Sequence, residues 1–243
     1  MSVDTLSLIP VSLNQMKRSI LLLFAFAIFS CKHGQYKFNP EAKRLNDSAV
    51  KMQGTIAGFQ LKASIGKDSF GRMQLALLNK ATKIDSNYLT AYFNKFGIQY
   101  SLQKYADALV TGKEMIRLAP KDMLIKLIVG KAYDQTGDSV QAKSYYKDYL
   151  YYCDGKLAFM PANDKERKQT ELQKALVLIL LNEPQQGHAI LSKLYNESDN
   201  DDMSRAKDIY GLYMRLTKSD LLVAKDISVT SGNHITSINT SFP

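Results

Sequence analysis

Over most of the chain apolar residues return every three or four positions, and short polar breaks with proline, glycine, asparagine or aspartate separate these runs. That period belongs to the α-helix, and no stretch alternates convincingly in the manner of a strand. The clearest region runs from Tyr88 to Leu150. Phe93, Phe96, Gly97 and Tyr100 share one helical face, and Leu109, Met115, Ile116 and Leu118 form a second stripe. Pro120 closes this unit, because proline cannot continue a helix. Val129, Gly130 and Tyr133 then lead to the turn Gly137-Asp138, which is followed by Ala142, Tyr146 and Tyr149.

The two stretches are copies of one pattern. A spacing of 33 separates Gly97 from Gly130 and Tyr100 from Tyr133, while 34 separates Ala108 from Ala142, Gly112 from Tyr146 and Met115 from Tyr149. The difference falls between the halves, where Ser101–Lys104 is one residue shorter than Asp134–Asp138. Self-similarity at this period marks stacked helix pairs. Gly97 and Gly130 on the first helix, with Ala108 and Ala142 on the second, are expected to let antiparallel helices approach closely, since a larger group there would overpack the contact.

The helical pattern continues on both sides. Asn39-Pro40-Glu41 reads as a capped helix start, continued by Ala42, Leu45, Ala49 and Met52. Gly54, Gly58 and Gly66 leave the next stretch open between a loose helix and a loop. Leu75–Asp85 is expected to be the second helix of an earlier repeat. Beyond the repeats, Tyr151–Ala162 reads as a linker with Pro161, and Asp164 as the cap of a long helix through Leu181. Its end, Ala175–Leu181, is apolar on all faces and predicts burial. Asn182-Glu183-Pro184 turns into a helix from Gln185 to Tyr195, and an acidic turn at Asp199–Asp202 precedes a last helix, about Met203–Leu216. Residues 40–217 therefore form one all-α repeat domain, and 218–243, rich in Ser, Thr and Asn towards the end, read as a mostly disordered tail.

The motif residues resemble the tetratricopeptide repeat (TPR) family. Phe93-Asn94-Lys95-Phe96-Gly97-Ile98-Gln99-Tyr100 carries the aromatic, glycine and tyrosine of its first helix, Ala142-Lys143-Ser144-Tyr145-Tyr146 the alanine and aromatic of its second, and Pro120 its closing proline. Lys126, Asp154 and Gly112 depart from the pattern. The resemblance covers roughly half of the chain. It implies a right-handed α-solenoid whose first helices line a concave groove, placing Asn94, Ile98, Ser101, Leu124, Leu127, Lys131 and Asp134 at a partner-binding surface, with the alternative that the C-terminal helix covers some of them. It assigns packing roles to Gly97, Tyr100, Ala108, Pro120, Gly130, Tyr133, Ala142 and Tyr146. It also implies an interaction protein rather than an enzyme.

Residues 1–30 carry a different text. Met1–Gln15 shows no periodicity, after which Met16, the expected true start, opens Lys17-Arg18, the apolar run Ile20–Phe29 and Ser30-Cys31. A basic start, a short apolar core and a small residue before the cut describe a secretory signal, and the run is shorter than the roughly 20 apolar residues of a membrane span. Ile28-Phe29-Ser30-Cys31 resembles the lipobox of bacterial lipoproteins, which implies acylation of Cys31. Residues 31–39 are then a polar tether. Lys32 is not the acidic residue that in some bacteria retains lipoproteins at the inner membrane, which favours an outer-membrane, periplasmic location in the cell envelope.

Charge and chemistry narrow the rest. Of the net +9, the segment before Cys31 accounts for +1 through Asp4, Lys17 and Arg18, leaving +8 for attraction to lipid headgroups or acidic partners. The lysines are scattered and not interleaved with stacking aromatics, which argues against nucleic acid. With Cys31 acylated, Cys153 is a lone, inert thiol. His33, His188 and His234 lie far apart, Asp199–Asp202 lacks the glycine and distal glutamate of a calcium loop, and no phosphate loop or nucleophile motif is present. No cofactor, metal or catalytic residue is expected. Two functions remain: a membrane-anchored interaction module that binds a protein in its groove, and a structural lipoprotein of an envelope assembly or secretion complex that uses its outer helix faces. An immunity or ligand-binding lipoprotein is a third and weaker reading.

Overall fold

The computed structural model describes residues 38–162, 164–198 and 204–223. The signal segment, Cys31, the acidic turn and residues 224–243 lie outside the described residues. All elements among the described residues are helices: α1 (Pro40–Gly54), α2 (Ile56–Ile65), α3 (Lys67–Ile84), α4 (Leu89–Ser101), α5 (Tyr105–Leu118), α6 (Met123–Gln135), α7 (Ser139–Phe159), α8 (Lys165–Leu180), α9 (Pro184–Asn196), α10 (Ser204–Tyr213) and α11 (Lys218–Val223). The protein is all-α.

Helix starts follow the caps in the sequence. Asn39 Oδ1 accepts from the backbone amides of Glu41 at 2.9 Å and Ala42 at 3.3 Å, with Pro40 in the first turn. Asp122, Asp138 and Asp164 cap α6, α7 and α8 in the same way. The three loops after α4, α6 and α8 each turn on one residue in the left-handed region: Gln103 (φ 58°), Gly137 (φ 87°) and Asn182 (φ 66°). In each, the amide after that residue reaches back five positions, from Lys104 to Gln99 O (2.9 Å), Asp138 to Tyr133 O (3.0 Å) and Glu183 to Leu178 O (2.9 Å). These bonds satisfy carbonyls left open at a helix end. The repetition seen in sequence is thus repeated in hydrogen bonds, and it extends to the pair α8–α9. The extra residue of the second unit lengthens the end of α6 rather than its loop.

Four pairs stack in order: α1 with α3, α4 with α5, α6 with α7, and α8 with α9. Successive pairs join through α3–α4, α5–α6 and α7–α8, so each pair packs mainly on its neighbours. The ambiguous glycine-containing stretch is helix α2, inserted between α1 and α3. Ala175–Leu181 is buried throughout, as its all-round apolar pattern predicts.

Three expectations are corrected. The linker placed at Tyr151–Ala162 is mostly helix, because Tyr149 and Cys153 continue the buried face of α7. The tail placed from 218 onward begins with α11, whose Leu221 is 1% exposed. Gly97 makes no close approach: a Cβ there would meet nothing within 4 Å. Gly130 does, since a Cβ would lie 2.9 Å from Tyr145 Cβ and 3.1 Å from the Tyr146 ring. In the earlier unit the close approach is at Gly112, the counterpart of Tyr146, where a Cβ would lie 2.6 Å from Val129 Cγ2 and 3.3 Å from the Phe96 ring.

Candidate functional site: the inner face of the first helices

The first helices α4 and α6 were expected to present an open groove. Of the seven residues assigned to it, Ile98, Leu127 and Lys131 are buried, and Asn94, Ser101, Leu124 and Asp134 are half-buried. On α4, Asn94 Nδ2 donates to Asn46 Oδ1 of α1 at 2.8 Å, and Asn46 itself is buried and donates to Tyr88 Oη at 3.3 Å. Ile98 is buried in a cluster with Ala49, Leu75 and Leu78. Ser101 is half-buried, and its hydroxyl donates to the Ile98 carbonyl at 2.9 Å within its own helix. Consecutive first helices touch sideways, so side chains assigned to a groove stand between α1 and α4.

On α6, Leu127 is 3% exposed and belongs to the largest apolar cluster, with Tyr146, Tyr149 and the α8 core. Leu124 remains half-buried. Lys131 is 5% exposed, with its ammonium 5.6 Å from the centre of the Tyr100 ring. Such a cation over an aromatic face is favourable, and more so when desolvated. Asp134 Oδ2 accepts from Tyr146 Oη at 3.0 Å and pairs with Lys218 Nζ at 2.7 Å.

Lys218 opens α11, the element that closes the site. Tyr100 Oη donates to the Leu222 carbonyl at 2.8 Å, Lys218 stands 5.9 Å from the Tyr146 ring, and Leu216 and Leu221 are buried. The chain thus returns over α6 and α8 and covers with its own residues the surface where a ligand was expected. Burial raises the hydroxyl pKa of Tyr100 and of Tyr146, and Asp134 adds to the second. Both phenols stay protonated as donors.

This covering segment carries a legible start. Thr217-Lys218-Ser219-Asp220 is a capping box: Thr217 N donates to Asp220 Oδ2 at 2.8 Å, and Asp220 N donates to Thr217 Oγ1 at 3.3 Å. Among the remaining packing residues, Ala108, Ala142, Tyr100 and Tyr146 are buried, Tyr133 stacks on Tyr145 at 5.7 Å, and Pro120 is exposed just beyond α5. Cys153 is fully buried, and burial pushes its thiol up to about 12, which makes it a poor nucleophile. Among the described residues no group of three or more His, Cys, Asp or Glu is placed to hold a metal ion, and no helix is long and apolar enough to cross a membrane.

On the opposite side, exposed aromatics stand among the described residues. α7 has 21 residues against 13 in its partner α6, and its second half runs past the pair. Tyr151 (81% exposed) and Phe159 (90%) lie two turns apart, with Tyr152, Gly155 and Ala158 between them, all exposed. This stripe faces away from Tyr146, Tyr149 and Cys153.

No family model matches the chain, and no curated protein matches it. The solved structure "MamA RS-1 ArsTM double mutant" aligns with 68% of this chain and 100% of its own, at 13% sequence identity and a TM-score of 0.41. A likeness at that level carries no argument; the helix pairing stands on the packing described above.

Proposed function

We propose that the protein is a lipid-anchored scaffold of the cell envelope, held at a membrane by acylated Cys31 and joined to a partner protein through the outer faces of its helix pairs. The observation behind this reading is the contrast between the two sides of the stack. The inner face is filled by α1 and α11, whereas the overhanging end of α7 leaves Tyr151 and Phe159 in water. Exposed aromatics grouped on one face are typical of interaction sites, where rigid rings bury much area at little entropic cost. The reading therefore favours the structural-lipoprotein alternative over ligand binding in a groove. The anchor is supported by Lys17-Arg18, the apolar run and Ser30-Cys31, and Lys32 favours the outer membrane.

The test is affinity recovery from crosslinked envelopes. Tyr151→Ala with Phe159→Ala should abolish recovery of a partner seen with the unaltered protein, with an unchanged helical spectrum because both side chains are exposed. Ser101→Ala with Leu124→Ala, on the inner side, should leave recovery intact. The reverse pattern would sink the outer-face reading. Separately, Cys31→Ser should move the protein from the detergent phase to the aqueous phase; an unaltered protein already found in the aqueous phase would overturn the anchor.

A further inference from the structure

The helix α2 has an unusual composition for an exposed element. Its ten residues include one charge, Lys62, and six apolar residues, Ile56, Ala57, Phe59, Leu61, Ala63 and Ile65. One side is seated on the domain: Gly58 is buried so closely that a Cβ would overlap the Met52 carbonyl oxygen, and Leu61 is half-buried. The other side carries Phe59, 60% exposed, with Ala63 exposed one turn later. Ile65 at the helix end and Met73 on α3 add further exposed apolar surface, at 36% and 45%. A surface helix ordinarily turns polar residues outward.

The surroundings are cationic. Between residues 51 and 72 stand Lys51, Lys62, Lys67 and Arg72 against Asp68 alone, a net charge of +3. Lys67 Nζ reaches the Ser101 carbonyl at 2.6 Å, so this charge is held beside the end of α4. An exposed apolar side chain with lysines before and after it in the chain offers both contributions to binding at a bilayer interface, apolar burial and attraction to anionic headgroups. A soluble protein partner would account for Phe59 but gives no reason for the net positive charge of this stretch.

We propose that α2 docks into the interface of an anionic membrane, inserting Phe59 and placing Lys51 and Lys62 against lipid headgroups. It rests on the membrane reading above and adds the second contact that a single point of attachment lacks. The reach is sufficient. Seven residue steps from Cys31 to Phe38 extend at most about 25 Å, and the fifteen residues of α1, with α2 at the far end, measure about 22 Å. A chain attached at Cys31 can therefore lay α1 along the bilayer and bring α2 to the same surface, which fixes the orientation of the stack.

The chain contains no tryptophan, so Phe59→Trp in the full chain introduces a single reporter. Its emission should shift to the blue on addition of phosphatidylglycerol–phosphatidylcholine vesicles and be quenched by brominated acyl chains. The response should weaken about fivefold for each of Lys51→Gln and Lys62→Gln, and Tyr151→Trp should stay unshifted. Co-sedimentation without any shift at Phe59→Trp would overturn the docking of α2 while leaving the Cys31 anchor standing. A shift that persists when Cys31→Ser is added supports α2 and separates it from the anchor. An equal response with pure phosphatidylcholine would overturn the headgroup contact. A blue shift that grows with protein concentration in the absence of vesicles would overturn the proposal in favour of a second copy on this face.

Discussion

At the scale of single residues, two glycines that look equivalent in the repeat have opposite surroundings. Gly130 has the Tyr145 and Tyr146 side chains against it, whereas Gly97 has open space. Gly130→Ala should therefore cost about 1–3 kcal/mol through overpacking. Gly97→Ala should stabilise by about 0.5–1 kcal/mol, because glycine inside a helix loses more freedom on folding. Urea unfolding of the two variants reads both signs, and equal effects would refute this assignment. Titration belongs to the same scale. Burial pushes Cys153 from 9 up to about 12, and Tyr88 and Tyr213 from 10 up to about 12. These groups stay protonated in the fold at pH values where the unfolded chain releases their protons. The unfolded state then binds fewer protons, so stability falls as pH rises. The urea midpoint should hold below about pH 8 and decline from about pH 9 upward, and Cys153→Ala should remove the first part of the decline. A midpoint unchanged to about pH 11 would contradict the burial of all three.

At the scale of elements, α11 is the informative case. Its composition and its nearness to a Ser/Thr/Asn-rich end suggest a tail, yet Leu221 enters the largest apolar cluster, Lys218 pairs with Asp134, and the Leu222 carbonyl accepts from Tyr100. Leu221→Ala should cost about 2–5 kcal/mol, as at a core position, while Val223→Ala, at a residue 63% exposed, should be nearly silent. Equal, small losses would show that the segment does not hold the inner face. The same contacts change the meaning of Lys131: a residue assigned to a groove sits over a buried tyrosine ring, so replacing it disturbs packing and not a binding surface.

At the scale of the whole molecule, the stack closes one side and leaves the other available. Each helix pair supplies an inner and an outer surface, and α1 and α11 occupy the inner one across α4, α6 and α8. The exposed aromatics of α7 and the exposed Phe59 of α2 lie on different elements, so a partner and a membrane need not compete for one surface. Partner recovery lost through Tyr151→Ala and Phe159→Ala, together with a membrane response read at Phe59→Trp, would assign those roles separately.

The repeated helices from Tyr88 to Leu150, the caps Asn39 and Asp164 and the buried run Ala175–Leu181 were legible in the sequence, because helical period and capping act over a few neighbouring positions, whereas α2, the end of α7 and α11 were not. Asn39, Asp164 and Ala175–Leu181 are cases in which local pattern and final environment agree. The depth of each contact was not legible. Whether a glycine touches its partner helix depends on what faces it: Tyr146 for Gly130, nothing within 4 Å for Gly97, and for the unheralded Gly187 the Ala175 carbonyl, only 2.6 Å from where a Cβ would stand. The covering of the inner face was left open by the sequence for the same reason. A surface exists only once every segment has been placed, and α11 returns to Tyr100 across 122 residues of chain. Sequence alone determined the repeated helices and their period; tertiary structure decided where α7 ends, that α11 forms and which faces meet water, because burial depends on all the parts that arrive and not on any one of them.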